Sequence, residues 1–472
     1  MAQIYWPNTA FSGPWEKNIY APASRTVRPA STLSELKANA VTDSSHPYKA
    51  ALHGNGSIIV FVFGIEVGGI VHLDYTSTGS GALGLAFTEA KNWIGEQSDS
   101  SSALYHDGAL YANISSTGKG AYVMPDEYLR ATWSNLRAYQ GYFHCSDKLL
   151  NRIWYSSAYT LQTNEVPVDT GRVTKGVTSG WLNNGTLGPG DTIIVDGAKR
   201  DREVWPGDKG IAVPSAFVSL GDLESVKNAL QIMYNTQLRR LQNKTTGAFD
   251  ESGPPLSQKD SDTYHMWSMI GTYKYVLHTN DTDFLLENWA SYKHAMGDIY
   301  GKVTYSSGLL NVTGTRDWAR WQQGYNNSEA QMNYEHLFLC RLETQPIYTA
   351  DGAPRPPISR KQSTPTYCWD ESYGAFKDNA TNTSLHPQDA NSMAIMFGVV
   401  NEERTASISE KLLKNWTPIG AVAPELRENI ALFISSFEIQ SHFIAHEPAR
   451  ALYLIRRGWG WYINTRMVQR AP

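Results

Sequence analysis

The sequence predicts a mainly α chain, with an N-terminal antiparallel β-sandwich domain over residues 1–144 and a helical domain over 145–472 built as a toroid or bundle. Three observations predict it. From Ser57 to Phe143 apolar residues come in short runs or strict alternation, and from Ser146 onward they recur every three or four positions. The third is length: 472 residues exceed the roughly 250–300 at which a single core stops growing.

In chain order, SIIVFVFG (57–64) is a continuous apolar run. GIVHLDYT (69–76) alternates, with Val71, Leu73 and Tyr75 on one face and His72 and Asp74 on the other. Further strands are expected in 83–90, 103–114 and 130–143, separated by Gly/Ser-rich turns. Ser146 is placed to cap a helix whose stripe is Leu149, Leu150, Ile153, Trp154, Ala158 and Leu161. Helical periodicity returns around 213–239, 262–279, 283–300, 388–400, 403–415, 432–446 and 448–463. Loops joining such a series gather on one functional face. The stretch 333–366 interrupts it with five prolines, and proline removes a backbone donor, so no helical pair is expected there.

Composition excludes several classes. Lys plus Arg 41 against Asp plus Glu 45 leaves a net charge of −4, with no basic stripe for nucleic acid. No run approaches the roughly 18 apolar residues of a membrane-spanning helix. Cys145, Cys340 and Cys368 match no metal-ligand spacing, and no cofactor motif occurs. The 15 Trp, 26 Tyr and 14 Phe suit walls that stack on sugars as well as they suit a large core.

Sequons begin at Asn55, Asn113, Asn184, Asn243, Asn280, Asn311, Asn326, Asn379, Asn382 and Asn415, more than twice the roughly four that composition predicts. The excess points to an extracellular glycoprotein. The opening MAQIYWPNTAFSGPW lacks the charged and apolar regions of a signal peptide.

The stretch that carries chemistry is DGAKRDREVWPGD, Asp196 to Asp208. It sets Asp196, Asp201 and Asp208 among Lys199, Arg200 and Arg202, with Trp205 between, on a loop defined by Gly197, Pro206 and Gly207. Crowded carboxylates retain a proton near neutrality, and one of them can then serve as a general acid. Arg200 can grip a carboxylate in a bidentate pair, and Trp205 can supply an apolar wall.

This motif resembles the D-G-x-K-R-[DE]-R-x-x-W-x-G-D signature of the α-L-rhamnosidases of glycoside hydrolase family 78, and matches it throughout. SDTYHMWSMIGTYKYVLHTNDTDFL (261–285) and TGTRDWARWQQG (313–324) resemble the segments lining that family's sugar pocket. The resemblance is to the fungal type, covers 145–332 and more loosely 367–463, and implies an (α/α)6 six-hairpin barrel after the β-domain. It implies a secreted enzyme cleaving terminal rhamnose from a carbohydrate or rhamnosylated small molecule, with inversion and without metal or cofactor. Asp201 takes the place of the general acid, where many relatives carry Glu. Asp196, Arg200, Trp205 and Asp208 would position the sugar hydroxyls, and Asp262, Trp267, Asp317 and Trp318 would complete the pocket. Each of these last four has an alternative as a helix cap or core residue.

Inversion requires a second carboxylate to activate water, roughly 6.5–9.5 Å from the acid. In the resembling family it is a Glu beyond a G-W-G-W-Y-like stretch. Here Gly458–Tyr462 is followed by ten residues without Glu, so the matching Glu is expected to be missing, with activity reduced or lost. Glu438, with His442 one turn on, is the nearest substitute, and a structural or pocket-lining role is expected of both. A carbohydrate-binding relative without turnover, and a six-hairpin glycosidase of another sugar, are the alternatives.

Overall fold

The computed structural model describes residues 12–33, 39–88, 91, 94–98, 109–115, 117–123, 137–171, 185–197, 202–242, 246–304, 309–313, 368–379 and 385–464. The Pro-rich 333–366 stretch therefore lies outside the described residues, as do Arg200, Asp201, Asp317 and Trp318.

Among the described residues the N-terminal part holds eight strands: β1 (Ser31–Thr32), β2 (Ala40–Asp43), β3 (His46–Leu52), β4 (Phe61–Val62), β5 (His72–Ser77), β6 (Gly81–Leu85), β7 (Leu110–Ile114) and β8 (Gly118–Val123). They pair antiparallel as β1 with β4, β2 with β3, β5 with β8 and β6 with β7. The alternation in β5 is as expected, with Leu73 and Tyr75 half-buried and His72 and Asp74 exposed. The apolar run at 57–64 contributes only the two residues of β4. Residues 137–143 form no strand. They are fixed instead by Arg137, which donates to the carbonyls of Glu16, Ile19 and Ala21, and by the buried Tyr139.

Nine α-helices follow among the described residues, so the chain is mainly α. The first, α1 (Lys148–Thr163), is capped by Asp147 rather than by Ser146: its carboxylate accepts from the amides of Leu149 (2.8 Å) and Leu150 (3.3 Å). A short ladder of β9 (Glu165–Pro167) and β10 (Thr192–Ile194) leads to α2 (Pro206–Ser219) and α3 (Glu224–Gln242). The expected single helix around 213–239 is thus two. Gly221 (φ +77°) turns the chain and Asp222 accepts from the Glu224 amide at 2.9 Å to start α3. Leu220, Leu223 and Val226 are buried across the break and keep the apolar period unbroken, which hid it.

The helices α4 (Asp262–Thr279) and α5 (Thr282–Gly301) form an antiparallel pair whose turn holds Asn280 in the left-handed region, φ +54°. Beyond the strands β11 (Trp369–Asp370) and β12 (Ala375–Phe376) come α6 (Gln388–Met396), α7 (Glu402–Leu412), the hairpin of β13 (Trp416–Thr417) and β14 (Gly420–Ala421), α8 (Leu432–Ile444) and α9 (Pro448–Asn464).

Burial sorts these helices into layers. Eleven residues of α4 and eight of the nine in α6 are buried, as in a helix covered on all sides, whereas α9 buries only Ala451, Leu454, Gly458, Gly460 and Ile463. The central helices pair as α2 with α4 and α6 with α8. Last meets first where α9 lies on α1: a side chain at Gly460 would meet Leu149 at 3.1 Å, and Arg456 pairs with Asp147 at 2.9 Å. One hydrophobic core runs through α2, α3, α4, α5, α6, α7 and α8.

Candidate active site

The predicted loop opens directly from the β9–β10 ladder. Asp196 is pinned at its base: its amide donates to the Glu203 carbonyl (3.1 Å), and its Oδ1 accepts from the Glu203 amide (3.0 Å). This closes a stem across the segment that carries Lys199, Arg200 and Asp201. Arg202, at φ +51°, sends its guanidinium to the Thr170 carbonyl at 3.3 Å.

From this stem the chain enters α2. Trp205 is the N-cap, Pro206 fills the first helical position where no amide is needed, and Asp208 sits in the first turn. The Trp205 ring meets Tyr264 of α4 edge-on, 5.6 Å between centroids at 72°, so the N-termini of α2 and α4 lie together. The Trp205 indole N–H is buried and has no hydrogen-bond partner among the described residues. Burial pushes the Asp208 carboxyl up to about 6, against the opposing pull of its own backbone bond and of the neighbouring Lys209 ammonium. A carboxyl poised there carries a proton part of the time near neutrality.

The two α4 residues are more committed. Asp262, in the first turn, is ion-paired with Lys302 at the end of α5 and accepts from the Thr313 amide at 2.7 Å. It thereby ties 309–313, the last described residues before the expected 313–324 pocket segment, to the helix terminus. The helix cap is its neighbour Ser261. Trp267 is 2 % exposed, stacked on Phe437 (5.7 Å, 13°) and edge-on to Phe433. It lies deeper than Trp205, in the floor between α4 and α8.

Sequence reasoning passed over three acids here. Glu203 is fully buried and accepts from the Leu256 amide at 3.5 Å; Asp250 and Glu251 are 4 % and 6 % exposed. They belong to a loop that folds over the stem, Gly253 N–H donating to the Val204 carbonyl at 2.8 Å, with a cis Pro254–Pro255 bond at its tip. The available signal was FDESGPP, an acidic pair set directly against a Gly-Pro-Pro breaker. His265 anchors this loop from α4: Nδ1 accepts from the Phe249 amide (2.9 Å) and Nε2 donates to the Ala295 carbonyl (3.1 Å), which fixes a neutral tautomer.

Glu438 lies elsewhere, in the core of α8, with no exposure. Trp416 Nε1 (2.5 Å), Gln388 Nε2 (2.6 Å) and His442 Nε2 (3.3 Å) all donate to its carboxylate. Ser409 donates to His442 Nδ1 (2.8 Å) and receives Arg450 Nη1 (2.9 Å). The order Arg450, Ser409, His442, Glu438 is one aligned chain of donors clamping α7, α8 and α9, which agrees with the structural role expected of Glu438. No group of three metal-ligating side chains occurs among the described residues, and none of their helices is long and apolar enough to cross a membrane.

No family model matches the sequence, and no curated protein matches it. Solved structures do match its fold. A family 78 rhamnosidase of Bacillus sp. GL1 aligns over 86% of this chain at 16% identity and a TM-score of 0.59. The rhamnosidase from Klebsiella oxytoca with rhamnose bound aligns over 95% at 15% identity and 0.61. The Streptomyces avermitilis α-L-rhamnosidase complexed with L-rhamnose aligns over 95% at 15% and 0.55. The chain spans 41%, 89% and 40% of those proteins respectively. Its fold is therefore shared with the α-L-rhamnosidases of glycoside hydrolase family 78.

Proposed function

We propose that this chain is a glycoside hydrolase that removes terminal α-L-rhamnose with inversion, in a pocket at the N-terminal ends of α2 and α4. The observation that carries the reading is the indole N–H of Trp205. It is a buried donor without an acceptor among the described residues, three positions before Asp208, whose carboxyl burial pushes up to about 6, on the loop that matches the rhamnosidase signature residue for residue. A buried unsatisfied donor is unfavourable by about 1–3 kcal/mol, a cost that a sugar hydroxyl accepting from it would remove.

In this reading α2, α4, α6 and α8 are inner helices of an (α/α)6 barrel, and the paired strands before Val123 belong to a β-sandwich. Asp201 protonates the departing glycosidic oxygen. Asp196 and Glu203 hold the base of its loop and Asp208 orients sugar hydroxyls, while Arg200, Asp317 and Trp318 take their sugar-binding roles from the resemblance alone. Glu438 is not the water-activating base, because three donors already occupy its oxygens. The protein is read as extracellular and N-glycosylated, the sequon side chains of Asn55, Asn113, Asn280 and Asn311 being exposed. Mass loss on treating natively produced protein with a peptide N-glycosidase tests that part.

The test of function is hydrolysis of aryl α-L-rhamnosides, with the first-formed anomer read by proton NMR. Asp201→Asn is expected to lower turnover about 10²–10⁴-fold, with the largest loss for the poorest leaving groups. Rhamnose binding without turnover would replace the enzyme by a binding protein, and the absence of both would sink the reading.

A further inference from the structure

Lys209 follows Asp208 in α2, and its side chain takes the opposite course. It runs inward between α2, α3 and α4, is 2 % exposed, and ends with Nζ 2.7 Å from the carbonyl oxygen of Ala229 on α3. On the α4 side its stem lies against Gly271, where an added Cβ would meet Lys209 Cβ at 3.3 Å, so the glycine makes room for it. An ammonium has three donors, and among the described residues this one has a single acceptor. Met or Leu would fill the same volume without bringing a charge out of water. The lysine is therefore expensive where it stands, and packing does not account for it.

What distinguishes the position is its neighbour. Among the described residues Asp208 is the charged group whose field acts on Lys209, and Lys209 is the cation whose field acts on Asp208. From α3 the ammonium faces the Ala229 carbonyl, and from α4 the bare backbone of Gly271. Successive residues on a helix diverge by about 100°, so the two side chains act on each other through the low-dielectric helix interface rather than by contact.

We propose that Lys209 is a positioning residue for the sugar pocket: a buried cation, next along the chain to Asp208, that fastens the first turn of α2 to α3. The proposal rests on reading Asp208 as a pocket residue. Burial raises Asp208, and the ammonium behind it limits that rise, so the carboxyl remains available as an acceptor for sugar hydroxyls near neutrality. Burial also pulls Lys209 down to about 7, so the restraint weakens as the pH passes neutrality.

Two neutral replacements test this in the full chain: Lys209→Met keeps the volume, and Lys209→Gln keeps a donor for α3. The first measurement needs no activity. Urea unfolding of wild type, Asp208→Asn, Lys209→Met and the double variant between pH 5 and 9 gives the coupling of the two residues. A favourable coupling of at least threefold in the unfolding constant near pH 6.5, fading above pH 8, is expected; none at any pH overturns the proposal. The second is the pH profile of aryl rhamnoside hydrolysis, whose acid limb should move up by about one unit in both variants, with KM rising more than kcat falls. A uniform fall in kcat with the limb unmoved would mean a structural role only, and would overturn it. Coupling in a protein that never hydrolyses a rhamnoside would leave the charge relation standing and remove the function proposed for the pocket.

Discussion

Asp147 and Arg456, 309 positions apart, meet at 2.9 Å, and the same Asp147 carboxylate caps α1 through the amides of Leu149 and Leu150. One side chain thus starts the first helix and fastens the last one to it. Burial raises this carboxyl, but the Arg456 bond and the two helix amides outweigh it and hold it below the usual carboxylate range. Asp147→Ala is expected to lose about 1–2 kcal/mol in chemical unfolding, most of it from the cap. Arg456→Ala, which removes only a half-exposed pair, should lose less than about 1 kcal/mol.

Trp205→Phe keeps a ring against Tyr264 and removes the unpaired N–H. The unliganded protein is expected to hold or gain stability by up to about 1 kcal/mol, while rhamnose affinity falls roughly tenfold. Thermal unfolding and calorimetric titration with rhamnose check both signs. A large loss of stability would mean that the indole has a partner inside the fold.

Asp208 and Lys209 make stability depend on pH in opposite senses. The folded Asp208 value near 6 lies above the unfolded 3.8, so the folded state holds the extra proton, and stability from this group is lost as pH rises from about 4 through 6. The folded Lys209 value near 7 lies below 10.5, so the unfolded state holds the extra proton, and stability grows as pH rises from about 7 to 10. The two swings are on the order of 3 and 5 kcal/mol respectively. Relative to wild type, Asp208→Asn should gain most above pH 6 and Lys209→Met most below pH 7, as read from urea midpoints across that range.

Glu438→Gln replaces an acceptor-only carboxylate by an amide whose NH2 must face Trp416, His442 or Gln388, all of them donors. A loss of more than about 2 kcal/mol is expected, with turnover per folded molecule unchanged. Unchanged stability with lost turnover would return Glu438 to the reaction.

His265 is neutral because Nδ1 accepts from Phe249, and burial holds its value below 6.5. Protonation removes that acceptor, so its contribution to stability is lost as pH falls below the unfolded value and on through the folded one. The Phe249 amide should lose hydrogen-exchange protection in acid before the α4 core does.

Long amphipathic elements were legible from the sequence. The 262–279 pattern coincides with α4, and 283–300 and 448–463 reach α5 and α9 to within a residue at each end. Periodicity failed where the apolar repeat continued through a turn, as from Leu220 to Val226, and where an apolar run pairs over only part of its length, as in 57–64, of which only Phe61 and Val62 form β4. In the site, Asp196, Trp205 and Asp208 stood out because a dense motif carried them. Glu203, Asp250 and Glu251 did not, because what marks an acid as unusual is burial, and burial comes from the fold of two distant loops. The left-handed Arg202 was hidden for the same reason.

The seam between α1 and α9 also bears on how the molecule is made. Its partners are separated by nearly the whole helical domain, so their meeting carries the largest loop-closure entropy in that domain and must come late. A chain leaving the ribosome exposes the face of α1 that carries Leu149 until α9 is synthesised, and that face is open to other chains throughout. The glycine at 460 lets the late helix settle against Leu149 without rearranging what has already folded. Translation pauses, chaperone supply and growth temperature should therefore govern the yield of this protein more than they govern its stability once α9 has docked on α1.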